Sequence, residues 1–372
     1  MNQASPPGLY IHVHFCRRNC DYCAFFSVPS STLIPRWLEA IRKEASTFQG
    51  RYGLFDTLYL GGGTPTLLDP EGLTRLMSHI HHSFDIAGDG ELTIEANPSD
   101  LSYEKAIALR DLGFNRVSLG VQSFDDKILS FLGRRQTAAE NETALATLRK
   151  VGFENISMDL LYGIEGQSLG DWKETLKRAE AFSPEHLSCY QLTIEKKTPF
   201  WRLKEQGKLH TLREDEEAAF FFETAEYLEN KGYCHYEVSN FARRPALASR
   251  HNQKYWHHVA YLGLGPSAHS FLDDRRWWNM SSLRRYVESI ENGRSPVLDR
   301  ESIDEEKRRL EAVALGLRTQ EGVLISSLPD TENTRKAVGY LKEAGYLRAE
   351  KGRLRPTRNG FLVADHLPTF FF

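Results

Sequence analysis

Three cysteines stand within eight residues of one another in the run Phe15-Cys16-Arg17-Arg18-Asn19-Cys20-Asp21-Tyr22-Cys23. The spacing is C-x3-C-x2-C, short enough for one loop to turn all three thiolates onto one metal centre. Three thiolates do not complete a tetrahedral zinc site, which wants four ligands. They suit a [4Fe–4S] cluster with one iron left open, and an open iron can take a small chelating ligand. A zinc site with His12 or His14 as fourth ligand is the alternative this spacing leaves standing. Cys189 and Cys234 stand alone and read as small buried hydrophobes. Five cysteines in all are too few for a disulfide scaffold.

Such a loop must be held by something rigid. The first part of the chain repeats one theme, a short apolar strand, a turn and an amphipathic helix. The predicted strands are Leu9–Phe15, Thr57–Gly61, Glu91–Ala96, Arg116–Val121, Ile156–Tyr162 and His186–Thr193. Helical spacing runs through Arg36–Phe48, Pro70–Phe84, Tyr103–Leu112, Ala138–Val151 and Trp172–Ala181. Alternating β and α elements imply a parallel sheet, either an incomplete barrel or a doubly wound sheet. Both folds gather ligands at the carboxyl ends of the strands. There lie Cys16, Gly61-Gly62-Gly63, Glu95 and Asn97, Gln122 and Gly163, each following a different strand.

The chain has 372 residues, room for two or three domains or for one large α/β barrel with an appendage. After the helical stretch Glu214–Lys231 the pattern changes, which predicts a boundary between 1–232 and 233–372. His235–Phe271 is rich in aromatics, His, Gly and Asn, with little periodicity. Ser281–Glu291 and Ile303–Thr319 read as helices, and Thr334–His366 reads as helix, strand, turn, strand, helix, a winged-helix-like module. Its Arg348, Lys351, Arg353, Arg355 and Arg358 could face nucleic acid, but 47 basic against 50 acidic residues leave a net charge of −3 and argue for no nucleic-acid partner. No run approaches the length of a spanning helix and mean hydropathy is −0.46, so the expected compartment is the cytoplasm.

The cysteine motif after a first strand resembles that of the radical S-adenosylmethionine (SAM) superfamily, and Gly61-Gly62-Gly63-Thr64-Pro65 strengthens the resemblance. It implies an α/β fold, a partial (β/α)6 TIM-like barrel, with a mainly α-helical C-terminal domain ending in the winged-helix-like module. It implies a [4Fe–4S] cluster on Cys16, Cys20 and Cys23, with SAM on the open iron. Gly62, Gly63 and Thr64 would then meet the SAM amino group. Glu95, in Glu95-Ala96-Asn97-Pro98, would read the ribose, as a carboxylate can accept from two hydroxyls. Gln122 would place an amide nearby, Arg134 a guanidinium on the methionine carboxylate, and Asp159 a carboxylate near the adenosyl group. Tyr10 joins the same set.

Further motifs resemble the oxygen-independent coproporphyrinogen III oxidase-like branch. They are Tyr190–Glu195, Tyr236–Phe241, Arg250–Trp256 and Gly263–Ser270, so the resemblance spans nearly the whole chain. The oxidases carry a further Cys two residues after the third and a longer N-terminal extension. Here Phe25 takes that place and the cluster motif begins at residue 16. Both departures resemble the family of heme chaperones within the branch. So does His251-Asn252-Gln253-Lys254-Tyr255-Trp256, with heme contacts implied at His251, Tyr255 and Trp256. Imidazole is the commonest heme ligand, and the two aromatics offer flat apolar surface. His269 and His235 are lesser candidates, and His14 stands where the family usually has Pro. The partners implied are heme, heme-accepting apoproteins and an electron donor such as flavodoxin or ferredoxin. The resemblance leaves room for a homodimer and for membrane association through a partner. The competing expectation is a radical enzyme acting on a tetrapyrrole, by oxidative decarboxylation or methyl transfer.

Overall fold

A computed structural model describes residues 5–24, 29 and 31–372. Phe25 lies outside the described residues. Six strands alternate with helices through the first half: β1 (Gly8–Val13), α1 (Ile34–Thr47), β2 (Phe55–Gly62), α2 (Pro70–Ser83), β3 (Ile86–Ala96), α3 (Tyr103–Asp111), β4 (Arg116–Gln122), α4 (Asp126–Phe131), α5 (Ala138–Val151), β5 (Ile156–Tyr162), α6 (Leu169–Ala181) and β6 (His186–Gln191). They pair in parallel in the order β1-β2-β3-β4-β5-β6. A doubly wound sheet would reverse its order partway. The unbroken sequence of neighbours is that of a partial barrel.

Local chemistry sets the helix ends. Asp69 accepts the Gly72 N–H before α2, and Thr137 with Glu140 and Ser168 with Asp171 form capping boxes on α5 and α6. Leu9, Ile11, Leu58, Leu60, Ile94, Val117, Leu119, Met158 and Leu160 face the helices at essentially no exposure. The alternate residues of the same strands face the lumen and are polar, among them Tyr59, Thr93, Glu95, Ser118, Ser157, Asp159 and Ser188. A closed TIM barrel fills its interior with apolar layers. This one keeps a polar cavity.

Two helices, α7 (Pro199–Glu205) and α8 (Glu214–Asn230), follow β6. The segment with little periodicity then extends both edges of the sheet. β7 (Cys234–Glu237) and β8 (Asn240–Ala242) add antiparallel beyond β6. After α9 (Arg250–Trp256), β9 (Tyr261–Leu264) adds parallel to β1, and β10 (His269–Leu272), β11 (Arg275–Asn279) and, past α10 (Leu283–Glu291), β12 (Val297–Ser302) continue outward. Most of these strands have three to five residues, too few to show a period. Then α11 (Glu305–Gly316), β13 (Val323–Leu324), α12 (Glu332–Glu343), β14 (Leu347–Glu350), β15 (Arg353–Pro356) and α13 (Arg358–Leu362) enclose their own core around Val313, Leu317, Leu341, Leu347 and Leu354. Arg353 there donates to Glu321 O and Gly322 O, Arg355 pairs with Glu350, and Arg358 with Glu229. No helix among the described residues is long and apolar enough to cross a membrane.

Candidate functional site

A cavity of about 480 Å³ opens at the carboxyl ends of β1–β6 and runs down the lumen. Cys16, Cys20 and Cys23 line its mouth, all three as free thiols. The loop that carries them is pinned at both sides: Asp21 N donates to Leu132 O, and Phe200 N donates to Asp21 O. The Thr64 hydroxyl lies 3.4 Å from Cys16 Sγ, and Arg134 Nη1 lies 3.6 Å from Cys20 Sγ. Hydrogen-bond donors aimed at sulfur are what an anionic iron–sulfur centre requires. Among the described residues, no three side chains of the His, Cys, Asp and Glu kinds sit as one metal ion's ligands. His12 and His14 do not line the cavity. His12 Nδ1 meets the Tyr10 hydroxyl at 3.0 Å. Burial takes the pKa of His14 down to about 4.

The glycine edge of β2 forms one rim. Gly62 has φ +106, and a Cβ there would fall 2.5 Å from the His12 ring. A Cβ on Gly63 would fall 2.5 Å from Phe15 O. Only glycine lets the β2 end and the β1–cysteine loop lie this close. Gln122 takes φ +64 at a register shift between β4 and β5, a strained backbone at the cavity wall. Arg134 is held by the Gly120 carbonyl at 2.7 Å and by Gln136.

Two carboxylates face the lumen. Glu95 accepts from the Tyr59 hydroxyl and from Gly62 N, each at 3.0 Å. Burial, with Asp159 nearby, pushes its pKa up to about 7. Asp159 accepts from the Ser118 hydroxyl at 3.1 Å, and burial raises its pKa as well. Such carboxylates can accept further hydrogen bonds from a ligand's hydroxyls beside those the protein supplies. The thiols, the glycine rim, the donors to sulfur and the two carboxylates fit a cluster with a sulfonium amino acid beside it.

The structure therefore brings Cys16, Cys20, Cys23, Gly62, Gly63, Thr64, Glu95, Gln122, Arg134 and Asp159 to one cavity. Tyr10 is elsewhere, in a separate compartment with His12 and Tyr255. The sequence reading missed Tyr59, Ser118 and Arg116, which also line the lumen, and named Tyr190, a fourth lining residue, only as part of a motif. Their signal was the period of two along strands already identified.

The segment carrying His251 sits at the opposite, amino end of the barrel. Backbone N–H groups of Arg250 and His251 donate to Glu91 at 3.1 and 3.0 Å. His251 is 1% exposed. Its Nδ1 meets Thr57 Oγ1 at 2.8 Å and its Nε2 meets the Tyr255 hydroxyl at 2.9 Å. Burial drives its pKa down to about 3, so the ring is neutral. Asn252 and Ser249 reach the floor of the main cavity, but His251, Tyr255 and Trp256 do not. Trp256 lies under the Arg318 guanidinium at 5.4 Å. His235 is buried against Phe241 and bonded to Val238 O.

The radical SAM superfamily matches residues 10–179, and the HemN C-terminal domain matches residues 303–363. The chain is 34% identical to the "Heme chaperone HemW" of Synechocystis sp., covering 89% of this chain and 82% of that one. It is 36% identical to the protein of the same name from Bacillus subtilis, covering 84% of each. "Radical S-adenosyl methionine domain-containing protein 1, mitochondrial" of Bos taurus is 31% identical, over 98% of this chain and 88% of that one. In fold the chain resembles the coproporphyrinogen III oxidase HemN of Escherichia coli, with a TM-score of 0.83 and 24% identity over 98% of this chain and 90% of that one.

Proposed function

The chain belongs to the radical SAM superfamily and, within it, to the family of HemW heme chaperones, and on that premise we propose that it binds heme and delivers it to acceptor apoproteins, with a [4Fe–4S] cluster and SAM in the barrel. The observation that carries this reading is the single cavity that gathers three free thiols, a glycine rim and two buried carboxylates, in a chain related over most of its length to proteins named heme chaperones.

Cys16, Cys20 and Cys23 would hold the cluster. When bound, it supplies an electron donor and an open iron for the amino and carboxylate groups of SAM. Thr64 and Arg134 temper charge on the sulfurs. Gly62 and Gly63 leave room for the amino acid end of SAM. Glu95 and Asp159 take hydrogen bonds from the adenosyl side, and Gln122 and Arg134 fix its orientation. Residues 1–232 form the SAM-binding part in this reading, and 233–372 the heme-handling part.

For heme, we read α9 as the handling element. His251 is neutral and therefore ligand-competent, but both its nitrogens are bonded. It would hold heme iron through Nε2, in place of the Tyr255 hydroxyl that this nitrogen now meets. Tyr255 and Trp256 then offer the flat surface. An electron donor of the flavodoxin or ferredoxin kind, a homodimer, and a cytoplasmic location with membrane contact through a partner complete the reading.

The test is a titration of heme into anaerobically reconstituted protein, read by absorption, for the wild type and His251→Ala. Stoichiometric binding with an altered spectrum in the variant supports heme handling at α9. No stable binding in the wild type overturns the chaperone reading, and the protein is then assayed on coproporphyrinogen III.

A further inference from the structure

Outside the barrel, at the C-terminal end of α9, the chain forms a cleft of about 410 Å³ between β9–β11 and α11. A second compartment of about 340 Å³ adjoins it and shares Tyr255, Tyr261 and His269. This inner arm reaches Ala24, the residue after Cys23. The cleft walls are aromatic. Tyr255 and Tyr261 meet edge to face with centroids 4.7 Å apart, and Trp278 stacks on His269 at 5.6 Å and 23°. Phe271 meets the His258 ring edge-on at 5.5 Å.

His258 is the unusual group. It takes φ +52 just past α9, in the left-handed region that few residues other than glycine adopt. Its Nε2 lies 3.3 Å from Glu311, an ion pair when the ring is protonated. Neither ring nitrogen of this enclosed side chain has a hydrogen-bond partner. Buried polar groups without partners are rare and mark a place where a ligand completes the set. Glu311 and Glu301 are occupied by Arg276, at 2.6 and 2.8 Å. This charged cluster closes one side of a slot whose other walls are aromatic and carry two imidazoles. Neutral imidazole is the form that ligates a metal, and burial lowers the pKa of both His258 and His269.

We propose that this cleft is the landing site for heme, with His258 or His269 supplying the first imidazole ligand to its iron while His251 remains bonded to Thr57 and Tyr255. This rests on the heme-chaperone reading and adds to it a site, a ligand and an order of events. The macrocycle would lie against Tyr261, Phe271 and Trp278. Tyr255 joins the landing site to His251, because its ring lines the cleft while its hydroxyl holds His251 Nε2. His251 is thus a positioning residue at this stage.

The experiment titrates ferric and ferrous heme into the full-length, cluster-reconstituted protein. The variants are His258→Ala, His269→Ala, the pair combined, Leu315→Trp and Trp278→Phe. Leu315 lines the cleft from α11, so a larger side chain there occludes it without removing a ligand. Melting curves and SAM affinity report whether each variant is folded. The proposal expects at least tenfold weaker heme binding in the double variant and in Leu315→Trp. It also expects a shifted Soret band in one single histidine variant, and heme quenching of tryptophan fluorescence that is reduced in Trp278→Phe. Heme binding by the wild type that is unchanged in the double variant and in Leu315→Trp overturns the cleft and leaves the chaperone reading standing. So does full loss in His251→Ala alone. No binding by the wild type overturns both.

Discussion

Glu95 shows how burial tunes one residue for a ligand. Its carboxylate has two protein donors, Tyr59 and Gly62, and a raised pKa of about 7 because it lies away from water beside Asp159. Only the ionised form offers its full set of acceptor sites to ribose hydroxyls. Above pH 7 the group is ionised and SAM should bind at full affinity. Below it, each pH unit should weaken binding by up to about tenfold, as a proton must first leave. Calorimetric titration of SAM at pH 6 and pH 8 checks this, and Glu95→Gln should flatten the dependence and weaken binding by about 10- to 100-fold. The same scale governs the cysteines. Cys20→Ala should abolish the visible absorption of the cluster and its bound iron, while Cys189→Ala should keep both, because Cys189 is 2% exposed among apolar neighbours and lies outside the cavity.

At the scale of elements, α9 has only seven residues and cannot stand alone. It is anchored by two backbone N–H groups on Glu91, by the Ser249 cap and by Lys254, which reaches Asp56 at 2.5 Å and Pro6 O at 2.7 Å. A carboxylate at a helix N-terminus also meets the positive end of the helix dipole. Glu91→Ala should therefore cost about 1–3 kcal/mol in denaturant unfolding, and it should make His251 more reactive to diethyl pyrocarbonate by loosening the helix that buries it. An unchanged modification rate would mean that α9 is held by other contacts. The glycine rim belongs to this scale too. Gly62→Ala adds a methyl 2.5 Å from the His12 ring at φ +106, so it should lower both the melting temperature and cluster occupancy.

Across the whole molecule, one buried carboxylate links the barrel to the later segment. Glu44 on α1 accepts from Gly265 N at 2.9 Å, Asn279 at 2.6 Å and the Tyr286 hydroxyl at 2.5 Å. Burial raises its pKa to about 7, as it does for Glu95 and for Glu237. A carboxyl group raised in the folded state binds more protons there than in the unfolded chain. Its stabilising contribution is present at pH values below the ordinary carboxylate range and is lost as pH rises through 7. The melting temperature should fall between pH 5 and pH 7 and level off above, and Glu44→Gln should reduce that fall.

The sequence by itself determined the local chemistry. The C-x3-C-x2-C loop, the glycine run after the second strand, and the caps and periods of the βα units are all encoded within a few residues, where spacing and propensity act directly. Family resemblance then added roles for Glu95, Gln122, Arg134 and Asp159, which the fold brings to one cavity. Tertiary structure decided what depends on distant residues meeting. It chose a partial barrel over a doubly wound sheet by the order of neighbours. It placed short strands from 233 onward on both edges of the sheet, because pairing stabilises segments too short to show a pattern. It buried His251 at the barrel's amino end, where Thr57 and Tyr255 take both its nitrogens. It left His258, two residues past the motif, lining an aromatic cleft with neither ring nitrogen hydrogen-bonded and Glu311 3.3 Å away. A motif names residue types in order. Which imidazole has a free lone pair depends on the groups the fold packs around it.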